Sequence, residues 1–498
     1  MSSTEAPPDS VVARTADGYR SSLFSHAVRI ACKAVGIVVL ARLVSPAQHG
    51  LFAMAASVFF VLVLFRDLGL GSAAIQARHL TEEQRTTLWH AHVALGLLLG
   101  GIMLAIAPAV AAFFNAPPLA PLAATMSAAL VLIGLNAWPR VLLARDLRFA
   151  ELNRIETWAA IIGTAAMIAT ALLNGSAYAF AAFLLVSESV CLIGAWRICG
   201  WRSAKPAHWP SIRPLWRPAS DLLAYNVLQC VLTQIDTVLM GRWFGAGAAG
   251  LYNRPNQLLA LPLTHIASPL NQVLAASLSR LSPASPDFAT TVRHAANLLA
   301  HLTLPFAALC MVVPHDIVRL ILGPDWPDAA PLLRWLAVSA AASYLTVTVY
   351  AVCFATANTR RLVLLMVAAL VTTSFALWLA RSHGPVGLAM ALAVVNLLFV
   401  FPRLAVATWQ TPLSLRDYSS ALAGPLVLAL LFALSLATFH RITSDFHWLL
   451  RLAITLSAAA ATSGLVAISF PALRSELLRI AQLRSARSAS HAAAPRTR

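Results

Sequence analysis

A chain of 498 residues that is 59% hydrophobic and only 11% charged, with a mean hydropathy of +0.74, has too little polar surface to cover a soluble core of that size. It reads as an all-α, polytopic membrane protein, which excludes a free-standing soluble enzyme. The net charge of +17 comes from Lys and Arg scattered through short interhelical segments, a pattern that follows the inner surface of a membrane and argues against nucleic acid as a partner.

Residues 1–20 are polar and include Pro7, Pro8 and Asp9. They are expected to form a disordered cytoplasmic terminus without a cleaved signal peptide. With roughly 20 apolar residues needed to cross ~30 Å of hydrocarbon, about fourteen spans follow. The first six lie near 21–44, 50–72, 87–114, 118–144, 152–173 and 177–200. The next six lie near 222–244, 250–278, 296–313, 330–355, 362–381 and 386–409, and a final pair near 420–439 and 446–470. Pro108, Pro262, Pro269 and Pro305 fall inside spans and predict kinks.

The layout divides into an N-lobe (21–200), a cytoplasmic linker (201–221), a C-lobe (222–409), two further spans (410–470) and a basic cytoplasmic tail (471–498). The linker's three tryptophans suit a membrane interface, and in the tail Leu473, Leu477 and Ile480 share the face of an expected interfacial helix. Most Lys and Arg fall on the side that holds the termini, among them Arg140, Arg145, Arg148 and Arg154, which places both termini in the cytoplasm.

The chain repeats itself. A gap-free shift of 200 residues lays Val38, Arg42, Gly50, Leu51 and Phe52 over Val238, Arg242, Gly250, Leu251 and Tyr252. In both copies an apolar run ends at an arginine, turns through small residues and resumes at Gly-Leu-aromatic, as a membrane hairpin would. A polar stripe repeats with it. His26, Arg29, Lys33 and Gly36 share one helical face, and the shift lays them over Asn226, Gln229, Thr233 and Asp236.

A cation at the middle of a span costs roughly 2.5–3.5 kcal/mol on insertion scales, so Arg29 and Lys33 need a compensating environment. One reading places both in a cavity, where they receive the phosphates of an anionic substrate. Snorkelling to the interface, or pairing with Asp236, are the alternatives. Arg254, beside Asn253, Asn256 and Gln257, is a candidate second phosphate contact or an interfacial anchor. His26, Asn226, Gln229, Thr233, Asn253 and Gln257 would then form the polar, sugar-facing lining.

Asp236 and Glu188 are candidates for carrying a coupling ion; pairing with Arg29 or Lys33 accounts equally for Asp236, and a hydrogen bond to a neighbouring Ser or Thr is the favoured account of Glu188. Arg66 and Asp67 read as a local pair at the end of the second span. The six cysteines lie in apolar runs without a CxxC pair, and His90 and His92 have no evident partners, so no metal, redox cofactor or disulfide framework is expected. Neither a hydrolase nor a nucleotide-binding motif occurs, and no loop is long enough for a catalytic domain.

Several segments resemble the polysaccharide flippases of bacterial surface-glycan pathways, most of all the exopolysaccharide branch of colanic acid and xanthan type. They are Ala41-Arg-Leu-Val-Ser-Pro-Ala-Gln-His-Gly-Leu, Phe65-Arg-Asp-Leu-Gly-Leu-Gly-Ser-Ala-Ala-Ile-Gln and Leu80-Thr-Glu-Glu-Gln. Arg145-Asp-Leu-Arg-Phe, Gly241-Arg-Trp-Phe-Gly, Gly250-Leu-Tyr-Asn-Arg and Leu322-Gly-Pro-Asp-Trp continue the match in order. The superfamily also holds multidrug exporters and the peptidoglycan-precursor flippase.

The resemblance implies two six-helix lobes plus two helices in the bacterial inner membrane, with alternating access. The cargo it implies is an undecaprenyl-diphosphate-linked oligosaccharide among membrane lipids, with a polymerase and co-polymerase as pathway partners. It also implies coupling to H+ or Na+, and arginines on the first, second and eighth helices that hold the diphosphate. Arg29 and Arg254 match the first and eighth places, whereas Arg66 lies at the far end of the second helix and departs from the pattern. The rival readings are an ion-coupled exporter of small cationic drugs, which an acidic cavity would favour, and a membrane polysaccharide polymerase, which would need a sizeable outward domain.

Overall fold

The computed structural model describes residues 8–77, 79–202, 208–262, 265, 267–356, 358–409 and 411–469. The linker positions 203–207 and the expected tail helix at 473–480 lie outside the described residues. The fold is all-α. Helices α1 (Pro8–Leu43), α2 (Pro46–Leu64), α3 (Leu70–Gln76), α4 (Glu82–Phe113), α5 (Leu119–Arg145), α6 (Phe149–Asn174) and α7 (Tyr178–Cys199) come first. A 3-10 turn at Trp209–Ile212 leads into α8 (Arg213–Pro262), followed by α9 (Ser268–Leu278), α10 (Pro286–Val312), α11 (Pro314–Ile321), α12 (Ala329–Leu345) and α13 (Val349–Ala355). The chain continues with α14 (Thr359–Ala380), α15 (Gly384–Leu398), α16 (Val400–Thr408), α17 (Leu415–Ile442) and α18 (Trp448–Ser469).

Ten segments among the described residues are long and apolar enough to cross a membrane, a number compatible with fourteen spans. One of them, Arg360–Thr408, holds two helices separated by the turn at Arg381–His383. Likewise, α8 contains two helices that meet at Gly245, whose φ of 80° and ψ of −175° interrupt the ladder where a side chain would be strained.

The first helix starts at Pro8, so residues 8–20 are helical and not irregular as expected; a proline in the first turn gives up no intrahelical bond. In the eighth span Pro262 is the last residue of α8 and Pro269 sits in the first turn of α9, and between them His265 and Ala267 are π-helical.

Contacts divide the chain into two compact units. The first holds the described residues through Arg254 together with Ile321–Asp325, and the second those from Pro255 to Leu320 and from Trp326 onward.

Within the first unit, α4 and α5 approach through glycine. A Cβ on Gly96 would lie 2.8 Å from the Gly134 Cα, so the backbones touch where any side chain would separate them. The repeated hairpins meet in the same way. A Cβ on Gly50 would run into the Ala246 carbonyl, and one on Gly250 into the Pro46 carbonyl. Under the 200-residue shift these two contacts exchange places, so the copies face each other about a local two-fold. Trp89, Trp138, Trp196 and Trp201 pack at centroid distances of 6.1–6.3 Å where the linker leaves α7. Trp201 Nε1 donates to Glu82 at 2.6 Å, which ties the start of the linker to α4.

In the second unit Asn297 Nδ2 on α10 donates to the Ala421 carbonyl of α17 at 2.8 Å, and Thr462 on α18 donates to Ser435 on α17 at 2.9 Å. Asp316 on α11 is buried and receives Arg451 of α18 at 2.6 Å, with His440 of α17 at 3.5 Å.

Candidate functional site

The strongest concentration of charge inside the first unit forms around Glu156, seven residues into α6. Its two carboxylate oxygens are divided between two arginines: Oε2 accepts from Arg29 Nη1 on α1, and Oε1 from Arg140 Nη2 on α5. Glu188 of α7 accepts from Asn136 Nδ2 of α5 at 2.5 Å and has Arg140, Arg66 and Glu156 as its charged neighbours. The Cys191 thiol, one turn further along α7, lies in the field of Arg140, Glu188, Glu156 and Arg29, so these groups form one cluster. Arg66 also lies in the field of Asp67, so the three arginines meet three carboxylates and the cations are compensated within the protein. An anion that reaches Arg29 or Arg140 competes with Glu156 for it.

Helix geometry assembles the group. Asn136 and Arg140 are four residues apart on α5 and point the same way, as do Glu188 and Cys191 on α7. Arg29 brings α1 to that face. Arg140, counted among the cytoplasmic loop cations, therefore belongs to this inward cluster, as a residue of α5.

The structure separates the two stripe cations. Arg29 turns into the unit toward Glu156, whereas Lys33, one turn on, is exposed on its surface and makes no ion pair among the described residues. Pairing of either with Asp236 is not seen. The Asp236 carboxylate instead accepts from the Tyr252 hydroxyl and, at 2.7 Å, from the Thr237 backbone N–H. The shift that relates the hairpins lays Asp236 over Gly36 and Tyr252 over Phe52, so this acid and its donor occur together in the second copy only.

Of the other lining candidates, His26, Asn226, Asn253 and Gln257 are half-buried. Gln229 is also half-buried, and its Oε1 is enclosed without a partner among the described residues. Thr233 is exposed and returns its hydroxyl to the Cys230 carbonyl at 2.9 Å.

Arg254 is 4% exposed and is not an interfacial anchor; its guanidinium lies 5.0 Å from the Phe180 ring centroid. Phe180 in turn stacks on Phe52 at 4.5 Å and meets His49 edge-on at 5.1 Å. Arg254 and Arg29 thus occupy different clusters of the first unit. Asp67 is not closed on Arg66: it accepts from His92 Nε2 at 2.8 Å and from the Gly71 N–H at 2.7 Å. Burial alone would push the Asp67 carboxyl up, but the His92 bond and charge outweigh it and hold it below the usual carboxylate range. His92, read as partnerless, is fully buried.

Residues 39–331, more than half of the chain, match the family of polysaccharide biosynthesis proteins. The chain belongs to that family. Among curated relatives it is similar to the lipopolysaccharide biosynthesis protein WzxC of Escherichia coli K12, 24% identical over 65% of this chain and 66% of WzxC. It is also similar to the teichuronic acid biosynthesis protein TuaB of Bacillus subtilis 168 (24% over 57% of this chain and 58% of TuaB). For the succinoglycan biosynthesis transport protein ExoT of Rhizobium meliloti 1021 the figures are 23% identity, 64% of this chain and 64% of ExoT. The match spans 58–66% of the length of these relatives, less than two thirds of each.

Among solved structures it superposes on the lipid II flippase MurJ in an inward-closed conformation with a TM-score of 0.68, at 15% identity, over 91% of this chain and 99% of MurJ. An inward-facing multidrug transporter of the MATE family follows at a TM-score of 0.57, 15% identical, over 80% of this chain and 98% of that one. Both likenesses are of fold. Within the polysaccharide biosynthesis family fold, this chain's charged cluster centres on Glu156, which is absent from the sequence candidates, and on Arg140, which stands there only as a cytoplasmic cation. An acid seven residues into an apolar helix is the signal that could have found Glu156.

Proposed function

We propose that this protein is a flippase that moves an undecaprenyl-diphosphate-linked oligosaccharide across the bacterial cytoplasmic membrane by alternating access, for assembly of a surface polysaccharide. One observation carries the reading: Arg29 and Arg140 share the Glu156 carboxylate among the apolar helices of the first unit, with Glu188 and Arg66 in the same field. A phosphate brought within ~4 Å of one such cation recovers about 4 kcal/mol per unit charge at an effective dielectric near 20, enough to draw a diphosphate out of the headgroup layer. The pathway named for the family and the flippase fold of the MurJ superposition support the choice of a lipid-linked glycan as cargo.

In this proposal Arg29 and Arg140 receive the diphosphate. Lys33 and Arg254, which lie outside that cluster, are further candidate contacts along its path, and His26, Asn226, Gln229, Thr233, Asn253 and Gln257 are the sugar-facing lining. Asp236 and Glu188 are its candidates for ion coupling, to H+ or Na+. The protein acts as a transporter and not as a catalyst, and its termini face the cytoplasm. The experiment is complementation of a deletion strain. Arg29→Ala and Lys33→Ala insert normally and lose polysaccharide export, while wild-type glycan output from the double variant removes both residues from the mechanism.

A further inference from the structure

Glu156 is held differently from Asp316, the buried acid that pairs with cations in the second unit. Asp316, with Arg451 and His440 around it, has a side chain only 3% exposed, as expected of a structural bolt. In the Glu156 group the side chains of Glu156, Arg29 and Arg140 remain 24%, 28% and 33% exposed. A pair that open can exchange partners with a ligand.

Each arginine offers five N–H donors in a planar fork, and each bond to Glu156 engages a single terminal nitrogen. Both cations therefore keep donors free for an acceptor-rich group, but a neighbouring carboxylate offsets much of their charge. Glu188 supplies a second element. It lies within electrostatic reach of Glu156 and carries the same charge, so a Glu156 carboxylate swung away from the arginines meets repulsion.

We propose that Glu156 is a resident counter-ion, occupying the arginine pair in the empty protein and yielding it to the diphosphate of the incoming lipid. This rests on the flippase reading above. A diphosphate carries at least two negative charges against the single charge of Glu156, so it wins Arg29 and Arg140 on arrival. Repulsion from Glu188 then drives Glu156 back as the cargo leaves. The device keeps two cations compensated in an empty membrane protein, and it weakens binding enough for release. Glu156 is thus a positioning and specificity residue: monophosphate lipids, which carry less negative charge and fewer acceptor oxygens, displace it less readily than diphosphates do.

The test uses the full-length protein in nanodiscs with farnesyl diphosphate and farnesyl monophosphate as probes. Glu156→Gln, which keeps the shape and removes the charge, tightens diphosphate binding by about tenfold or more and narrows the preference for diphosphate over monophosphate. In cells it slows export although binding is stronger, an outcome that a merely structural role would not give. Arg29→Ala weakens diphosphate binding. If Arg29→Ala weakens binding while Glu156→Gln leaves it unchanged or weaker, the counter-ion proposal fails and the flippase reading stands. If Arg29→Ala has no effect on binding, both fail.

A second measurement does not depend on neutralising Glu156. In Arg29→Lys the introduced amine is coupled to Glu156 by a water-soluble carbodiimide. Saturating farnesyl diphosphate suppresses that cross-link; a cross-link formed in undiminished yield overturns the proposal.

Discussion

Asp67 and His92, a half-buried acid on a buried histidine, show what a polar pair does when no ligand is involved. The Asp67 carboxyl is held below its usual range by His92, so its contribution to stability is full above the unfolded-state pKa of Asp and is lost as pH falls through the lower folded-state value. Asp67→Asn removes the charge and leaves His92 with a poorer acceptor. The expected cost is about 1–3 kcal/mol near neutral pH, shrinking toward zero on acidification. Thermal unfolding of wild type and variant between neutral and acid pH reads both the size and the sign. A penalty that grows as pH falls contradicts the assignment.

Side-chain chemistry at this scale was only partly visible from the residues alone. Arg29 and Lys33 stand out in sequence because cations are rare in an apolar run. Their fates were not visible, because the partner of Arg29 lies 127 positions away on α6. Asp236 was likewise conspicuous, but its donor Tyr252 reads as one more aromatic at the head of the next apolar run.

At the level of elements, the repeated hairpin is the feature most legible beforehand. Its two glycines pack in the manner its symmetry requires, each against the carbonyl that the shift predicts from the other. Gly50→Val and Gly250→Val should therefore cost stability to a similar degree, about 1–3 kcal/mol or more from overpacking. Gly101→Val on α4 is the control, since a Cβ there meets nothing within 4 Å. Folded yield and melting temperature in detergent check this; equal tolerance at all three positions would remove the tight contact.

A different force holds the last helix in its unit. Arg451 of α18 reaches buried Asp316 on α11, and removing one side of such a pair strands a charge. Arg451→Met is expected to destabilise the second unit by roughly 3–5 kcal/mol, and Asp316→Leu in the same chain to restore part of it. Hydrogen exchange over α11 and α18 follows the effect. The distortion of the eighth span, by contrast, was visible only as prolines: Pro262 and Pro269 announce it, but the form it takes is decided by the neighbours that accept the freed carbonyls.

For the whole molecule, composition alone assigns the chain to the membrane, and the order of apolar runs with short connections accounts for its family fold. What composition cannot do is choose the cargo. That choice rests on the pair Arg29 and Arg140, held within a helical unit and kept in check by Glu156. The measurement that tests the account most directly is the leaflet distribution of undecaprenyl-diphosphate oligosaccharide, read by its accessibility to a glycan-cleaving enzyme added outside spheroplasts. In cells lacking this protein the lipid is predicted to accumulate protected on the inner leaflet, and wild type but not Arg29→Ala is predicted to return it to the outer one. An outer-leaflet pool that is the same with and without the protein would contradict the account.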